Sequence, residues 1–138
     1  GSGTLKKALH YEAKTFAHCW FENENGKFNK NHPLPVRTQF SSINDIEEID
    51  YNGDEFIDLL VVGNLYQAEV ETPRSDSGLG LVLIGSSQGF QTIPPEQSGL
   101  LLRGDIKNVS PIQLSNNRWG YLMGTNDDQL RLMELTKK

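Results

Sequence analysis

The stretch DYNGDEFID, Asp50 to Asp58, runs straight into the apolar run Leu59-Leu60-Val61-Val62-Gly63, and its reading decides the fold. Aspartates stand at every fourth place, with Asn52 and Gly53 between the first two and Glu55 beside the second. A short continuous apolar run bounded by turn residues suits a strand covered on both faces. Gly53 eases a tight bend because it carries no Cβ. The segment therefore reads as an acidic turn delivering the chain into a buried strand.

Strand signals recur on both sides of it. Phe16 to Phe21 is aromatic and apolar, and Asn23 to Gly26 supplies turn chemistry. Ile43, Ile46 and Ile49 lead into the acidic turn, and Leu79 to Ile84 repeats the apolar run, with Gln88-Gly89 closing a hairpin. Tyr121 to Met123 and Leu130, Leu132 and Leu135 give two more strands. Leu5 to Lys14 alone has a composition open to helix, and its apolar stripe is too short to decide. Landmarks repeat: Gly26 to Gly89, Phe28 to Phe90, Pro35 to Pro95 and Gly63 to Gly124 are 63, 62, 60 and 61 residues apart. A repeat of that length built from short strands implies propeller blades.

Composition bounds the functional classes. The 138 residues fit one ordinary domain, and an apolar fraction of 36% before glycine predicts a modest core. Acidic residues outnumber basic ones by 18 to 13, a net charge of −5, which argues against a nucleic-acid partner because phosphate contacts need a basic surface. A single cysteine, Cys19, excludes an internal disulfide. No run approaches the ~18 apolar residues of a membrane helix. Gly1-Ser2-Gly3 looks like a cloning remnant.

The acidic turn has the donors of a hard-cation loop. Calcium takes six to eight oxygen ligands, and a tight loop can supply them from alternate positions and a backbone carbonyl. Asp50, Asn52, Asp54 and Asp58 fall on such positions, with Phe56 offering its carbonyl. A helix-flanked calcium loop is excluded: it needs glycine at its sixth place and glutamate at its twelfth, where this chain has Glu55 and Val61. These residues resemble the DxNGDGxxD loop of FG-GAP/VCBS repeats in integrin-α-like β-propellers. The run DLLVVGNLYQAEVETPRSD with GLGLVLIG is also similar to bacterial VCBS-repeat proteins related to the ASPIC/UnbV group. The resemblance covers the chain after about Phe16 and implies a loop joining the first two strands of a blade and binding calcium. Glu55 stands where the family pattern has glycine, and is strained if the backbone takes positive φ there. The equivalent turn in the next repeat, Ser115-Asn116-Asn117-Arg118, has lost its carboxylates and is expected to bind nothing. A plain solvated acidic turn is the alternative.

Other clusters have simpler alternative roles. Asn64, Tyr66, Glu69, Glu71, Arg74 and Asp76 mark a polar connection that could hold a protein or carbohydrate ligand, or could order itself through an Arg74–carboxylate network. Arg103-Gly104-Asp105 spells an adhesion tripeptide at a blade junction, and short motifs arise readily by chance. His18 and Cys19 are neighbours on an expected strand, so their side chains point to opposite faces and share no metal. Trp20, Phe21, Phe90 and Trp119 read as blade-packing anchors in preference to a carbohydrate platform, although aromatic rims do bind sugars in some propellers. No nucleophile–base order or phosphate-cradling loop is visible, so enzymatic activity ranks third.

The expectation is an all-β chain of antiparallel four-stranded propeller blades, about two in number. Residues 4–39 would close a preceding blade, 40–95 form a complete blade with the calcium loop, and 96–138 form a degenerate blade. Propellers close with ~4–8 blades, so the partners would include further blades or copies of the chain pairing through open edges. Function is expected to be scaffolding or binding rather than catalysis. Extracellular calcium modules bind with dissociation constants of ~10⁻⁴–10⁻³ M, which implies an extracellular or cell-envelope setting.

Overall fold

A computed structural model describes residues 8–135. The chain is all-β, with three antiparallel sheets and almost no helix. It divides into two compact units, Gly1–Pro33 and Leu34–Lys138.

The first unit is a hairpin of β1 (Cys19–Glu24) and β2 (Lys27–Pro33). Asn25 and Gly26 both take positive φ, 53° and 83°, the conformation of a type I′ turn, whose twist matches that of paired strands. The Asn23 side chain accepts the Gly26 N–H at 2.8 Å and fixes the turn. Trp20 stacks on its cross-strand partner His32, ring centroids 4.3 Å apart. The strand starts later than the sequence suggested. Phe16 lies before it and is exposed, and Phe21 is 52% exposed instead of anchoring a core. Residues 8–14 carry no helix, and the rest of the Leu5–Lys14 segment lies outside the described residues.

The second unit opens with a 3-10 turn over Val36–Phe40. A four-stranded meander follows: β3 (Ile43–Ile49), β4 (Asp58–Gly63), β5 (Leu81–Ile84) and β6 (Gln91–Thr92). The four-residue helix α1 (Pro95–Ser98) has proline in its first turn and ends on Gly99, whose φ is 70° and whose N–H caps Pro95 O. A three-stranded meander of β7 (Ile106–Gln113), β8 (Trp119–Thr125) and β9 (Arg131–Glu134) completes the unit.

The core lies between these two sheets. Leu60, Val62 and Val82 meet Ile106, Val109 and Met123, with Ile49, Leu100 and Tyr121 in the same cluster. β4 is covered along both faces, as its unbroken apolar run implies. Full burial of an aliphatic side chain contributes roughly 1.5–3 kcal/mol, so Leu60, Leu83 and Met123 are principal stabilising residues. Gly63 is required where β4 passes the preceding chain: a Cβ there would stand 1.8 Å from the Ser42 carbonyl oxygen.

The first strands of the two sheets are also linked by polar groups. Asp45 Oδ2 accepts from the Val109 N–H and from Asn108 Nδ2, both at 2.8 Å. Asn44 Nδ2 donates to Ile106 O at 2.7 Å and to Asn64 O at 2.8 Å. Each first strand has a register irregularity near its start, between Ile43 and Asp45 in β3 and between Ile106 and Asn108 in β7. Past each second strand the chain makes a matching bond: Asn64 N–H to Ser42 O at 3.1 Å, and Asn126 N–H to Asp105 O at 2.9 Å.

Candidate functional site

The acidic turn joins β3 to β4, and a strand follows it, which agrees with rejecting a helix-flanked loop. Its polar side chains fold back onto the turn. Asp50 Oδ1 accepts the Gly53 N–H at 2.7 Å, Asn52 Oδ1 accepts Asp54 N–H at 3.2 Å, and Asp54 Oδ1 accepts Phe56 N–H at 3.0 Å. Such local bonds are what aspartate and asparagine favour in turns. Asn52 Nδ2 also donates to Asp54 Oδ2 at 2.7 Å. Asp50, Asn52, Asp54 and Phe56 are all exposed. Glu55 has φ 72°, the left-handed conformation that disfavours a side chain.

Asp58 behaves differently from the other acids of the turn. It is fully buried, and its two oxygens accept main-chain N–H groups from separate segments: Oδ2 from Tyr51 and Oδ1 from Gly85, each at 2.9 Å. The carboxylate thus pins the turn to the end of β5. Nothing in the local sequence distinguishes it from Asp50 or Asp54, because Gly85 reaches it only through the sheet topology.

The donor set of the turn is oxygen-only and suits a hard cation. Among the described residues, no three His, Cys, Asp or Glu side chains converge in a metal-holding group. Asp50, Asp54 and Asp58 therefore line one turn without closing on a single point. An ionised carboxylate has about four lone-pair sites, so the two N–H bonds at Asp58 leave further acceptor capacity.

The 64–76 connection separates into an inner and an outer part. Asn64 is fully buried at φ 105°, and its amide bonds Ser41 Oγ, Gly78 N–H and O, and Gly104 O, all at 2.7–2.8 Å. It shapes the loop from within. On the outside, Arg74 Nε donates to Asp76 at 2.9 Å and its guanidinium lies 4.8 Å from the Tyr66 ring centroid, while Glu69 and Glu71 are exposed. Among the described residues, Arg74 thus has a single carboxylate partner, Asp76, with the Tyr66 ring beside it.

The adhesion reading of Arg103-Gly104-Asp105 is overturned by burial. Asp105 is 1% exposed, with Lys107 Nζ 2.7 Å from its Oδ1 in an ion pair that lacks hydrogen-bond alignment. A recognition carboxylate must be reachable, and this one is enclosed.

The unforeseen residues lie at the same end of the two sheets as the acidic turn. Trp119, expected to be a packing anchor, is 55% exposed at the start of β8. Arg118 Nη1 donates to both carboxylate oxygens of Glu134, at 3.0 and 2.9 Å. Burial, then Glu47 and Asp50, push the Tyr121 phenol above its ordinary pKa. Consecutive asparagines in the β7–β8 turn, Asn116 and Asn117 at φ 60° and 57°, were the available signal, since asparagine tolerates the left-handed region that sharp turns need. Comparisons with protein-family models, curated proteins and solved structures found no match for this chain.

Proposed function

We propose that the chain is a non-catalytic segment of a β-propeller, with two neighbouring blades docked through their first strands. In this reading calcium stabilises the 50–58 turn, and the segment serves as scaffold or binding module in an extracellular or cell-envelope protein. The observation that carries the reading is the matched build of the two meanders. Each first strand has an irregularity after its opening isoleucine, and each second strand is followed by an asparagine N–H bonded back to the segment before the first. First strand lies against first strand, the relation expected around a propeller axis.

Asp50, Asn52, Asp54 and Asp58, with the Phe56 carbonyl, would hold the ion. Its contribution is structural: it offsets the mutual repulsion of the aspartates, while Asp58 anchors the end of the turn. At calcium about ten times the dissociation constant, linkage adds ~1.4 kcal/mol of stability. That corresponds to a rise of roughly 4–6 °C in melting temperature for a unit of this size.

Thermal unfolding with increasing calcium tests this. The wild-type midpoint is expected to climb in the millimolar range, Asp54→Ala to stay flat, and Glu55→Gly to respond at lower calcium because glycine accepts the positive φ. A wild-type midpoint indifferent to calcium would remove the metal from the proposal.

A further inference from the structure

A cleft of about 1110 Å³ opens beside the acidic turn, between that turn, α1 and the β7–β8 turn. Its lining combines three chemistries. Trp119 offers a half-exposed indole, Leu100, Tyr121 and Met133 form apolar wall, and Asn52, Gln97, Ser98 and Asn117 bring neutral donors and acceptors. Arg118 and Glu134 also line it, but they neutralise each other across two short hydrogen bonds.

We propose that this cleft binds a neutral oligosaccharide. A pyranose presents C–H faces that pack on an aromatic ring and a rim of hydroxyls that exchange bonds with amides and paired charges. Exposed tryptophan supplies large contact area at small entropic cost. The volume exceeds the ~300–1,000 Å³ usual for a small-molecule pocket, which favours several sugar rings over one. Charge narrows the choice. Asp50 and Glu96 are the remaining carboxylates of the lining, so an anionic sugar or a phosphate is disfavoured. Calcium on the neighbouring turn would offset Asp50 and leave the cleft closer to neutral, which disfavours a cationic ligand too.

The test uses the full chain with Trp20→Phe, so that Trp119 alone reports, titrated with neutral hexasaccharides: cello-, malto-, chito- and β-1,3-gluco-oligomers. A saturable emission shift with at least one, nearly independent of sodium chloride, is expected. Trp119→Ala, followed by calorimetry, should weaken that binding at least tenfold, and Trp119→Tyr by only a few-fold. Arg118→Met should weaken it too, while thermal melts confirm folding. No saturable response to any of the four overturns the proposal, as does binding that Trp119→Ala leaves intact, or a response confined to spermidine or heparin. Asp54→Ala separates the two proposals, because Asp54 does not line the cleft. In that variant, loss of the calcium response with saccharide binding retained leaves this inference standing, whereas a wild-type chain that responds to calcium but binds no saccharide leaves only the metal turn standing.

Discussion

Replacing Asp58 by alanine removes one acceptor group from two main-chain donors, the part-buried Tyr51 N–H and the buried Gly85 N–H, each 2.9 Å from a carboxylate oxygen. Hydrogen bonds to a charged group contribute about 1.5–3 kcal/mol each, and a buried donor left without a partner costs ~1–3 kcal/mol. Asp58 is 0% exposed, so water cannot take over without opening the turn. Part of the gain is offset by the cost of burying the carboxylate itself. The net expectation for Asp58→Ala is a loss of roughly 3–5 kcal/mol, a large share of the 5–15 kcal/mol that holds an ordinary domain together. Asp58→Asn keeps one acceptor but turns an NH₂ toward the other N–H, and should lose about 2–3 kcal/mol. Urea unfolding followed by circular dichroism, in EDTA and again with millimolar calcium, measures both. The loss must be present in EDTA, since the two bonds are made without any ion. If Asp58→Ala in EDTA lies within about 1 kcal/mol of wild type, the buried pin does not stabilise the turn and the reasoning fails.

Two further outcomes follow from the same structure. Gly63→Ala drives a Cβ into the Ser42 carbonyl and should cost about 3 kcal/mol or more by urea unfolding, whereas Gly124→Ala meets nothing within 4 Å and should be neutral or up to ~1 kcal/mol stabilising. Burial first, then Asp45 and Glu48, raise the pKa of Glu47, so the folded state holds that proton more tightly than the unfolded chain. Its contribution is therefore lost as pH rises from the ordinary glutamate value through the raised one. Glu47→Gln should be more stable than wild type at neutral pH, with the advantage vanishing in acid; an advantage that grew on acidification would refute the assignment.

How much could be read in advance depended on whether the determining contacts were local. The I′ turn at Asn25-Gly26, the doubly covered β4 and the hairpin at Gly89 follow from short-range rules, whereas β1 begins at Cys19 and not at Phe16, where the aromatic run placed it. β6 spans only Gln91–Thr92 and has no periodicity to detect. Helix α1 did carry a signal, proline at its start and Gly99 at its end, which was subsumed in the Pro35–Pro95 spacing. Burial of Asp58, Asn64 and Asp105 was invisible, because each is enclosed by segments distant in the chain. The cleft was missed for the same reason: Trp119 resembles a core residue until the neighbouring turn and helix are seen to stop short of it.

The bonds that Asn44 and Asp45 make to β7 bear on how the molecule comes apart. Apolar surfaces can slide by a fraction of a residue at little penalty, but a carboxylate matched to one particular N–H cannot. Separating the sheets breaks these partly buried bonds on both sides at once, which disfavours partial opening. The two meanders should therefore melt in a single cooperative step, as one foldon instead of two independent leaves.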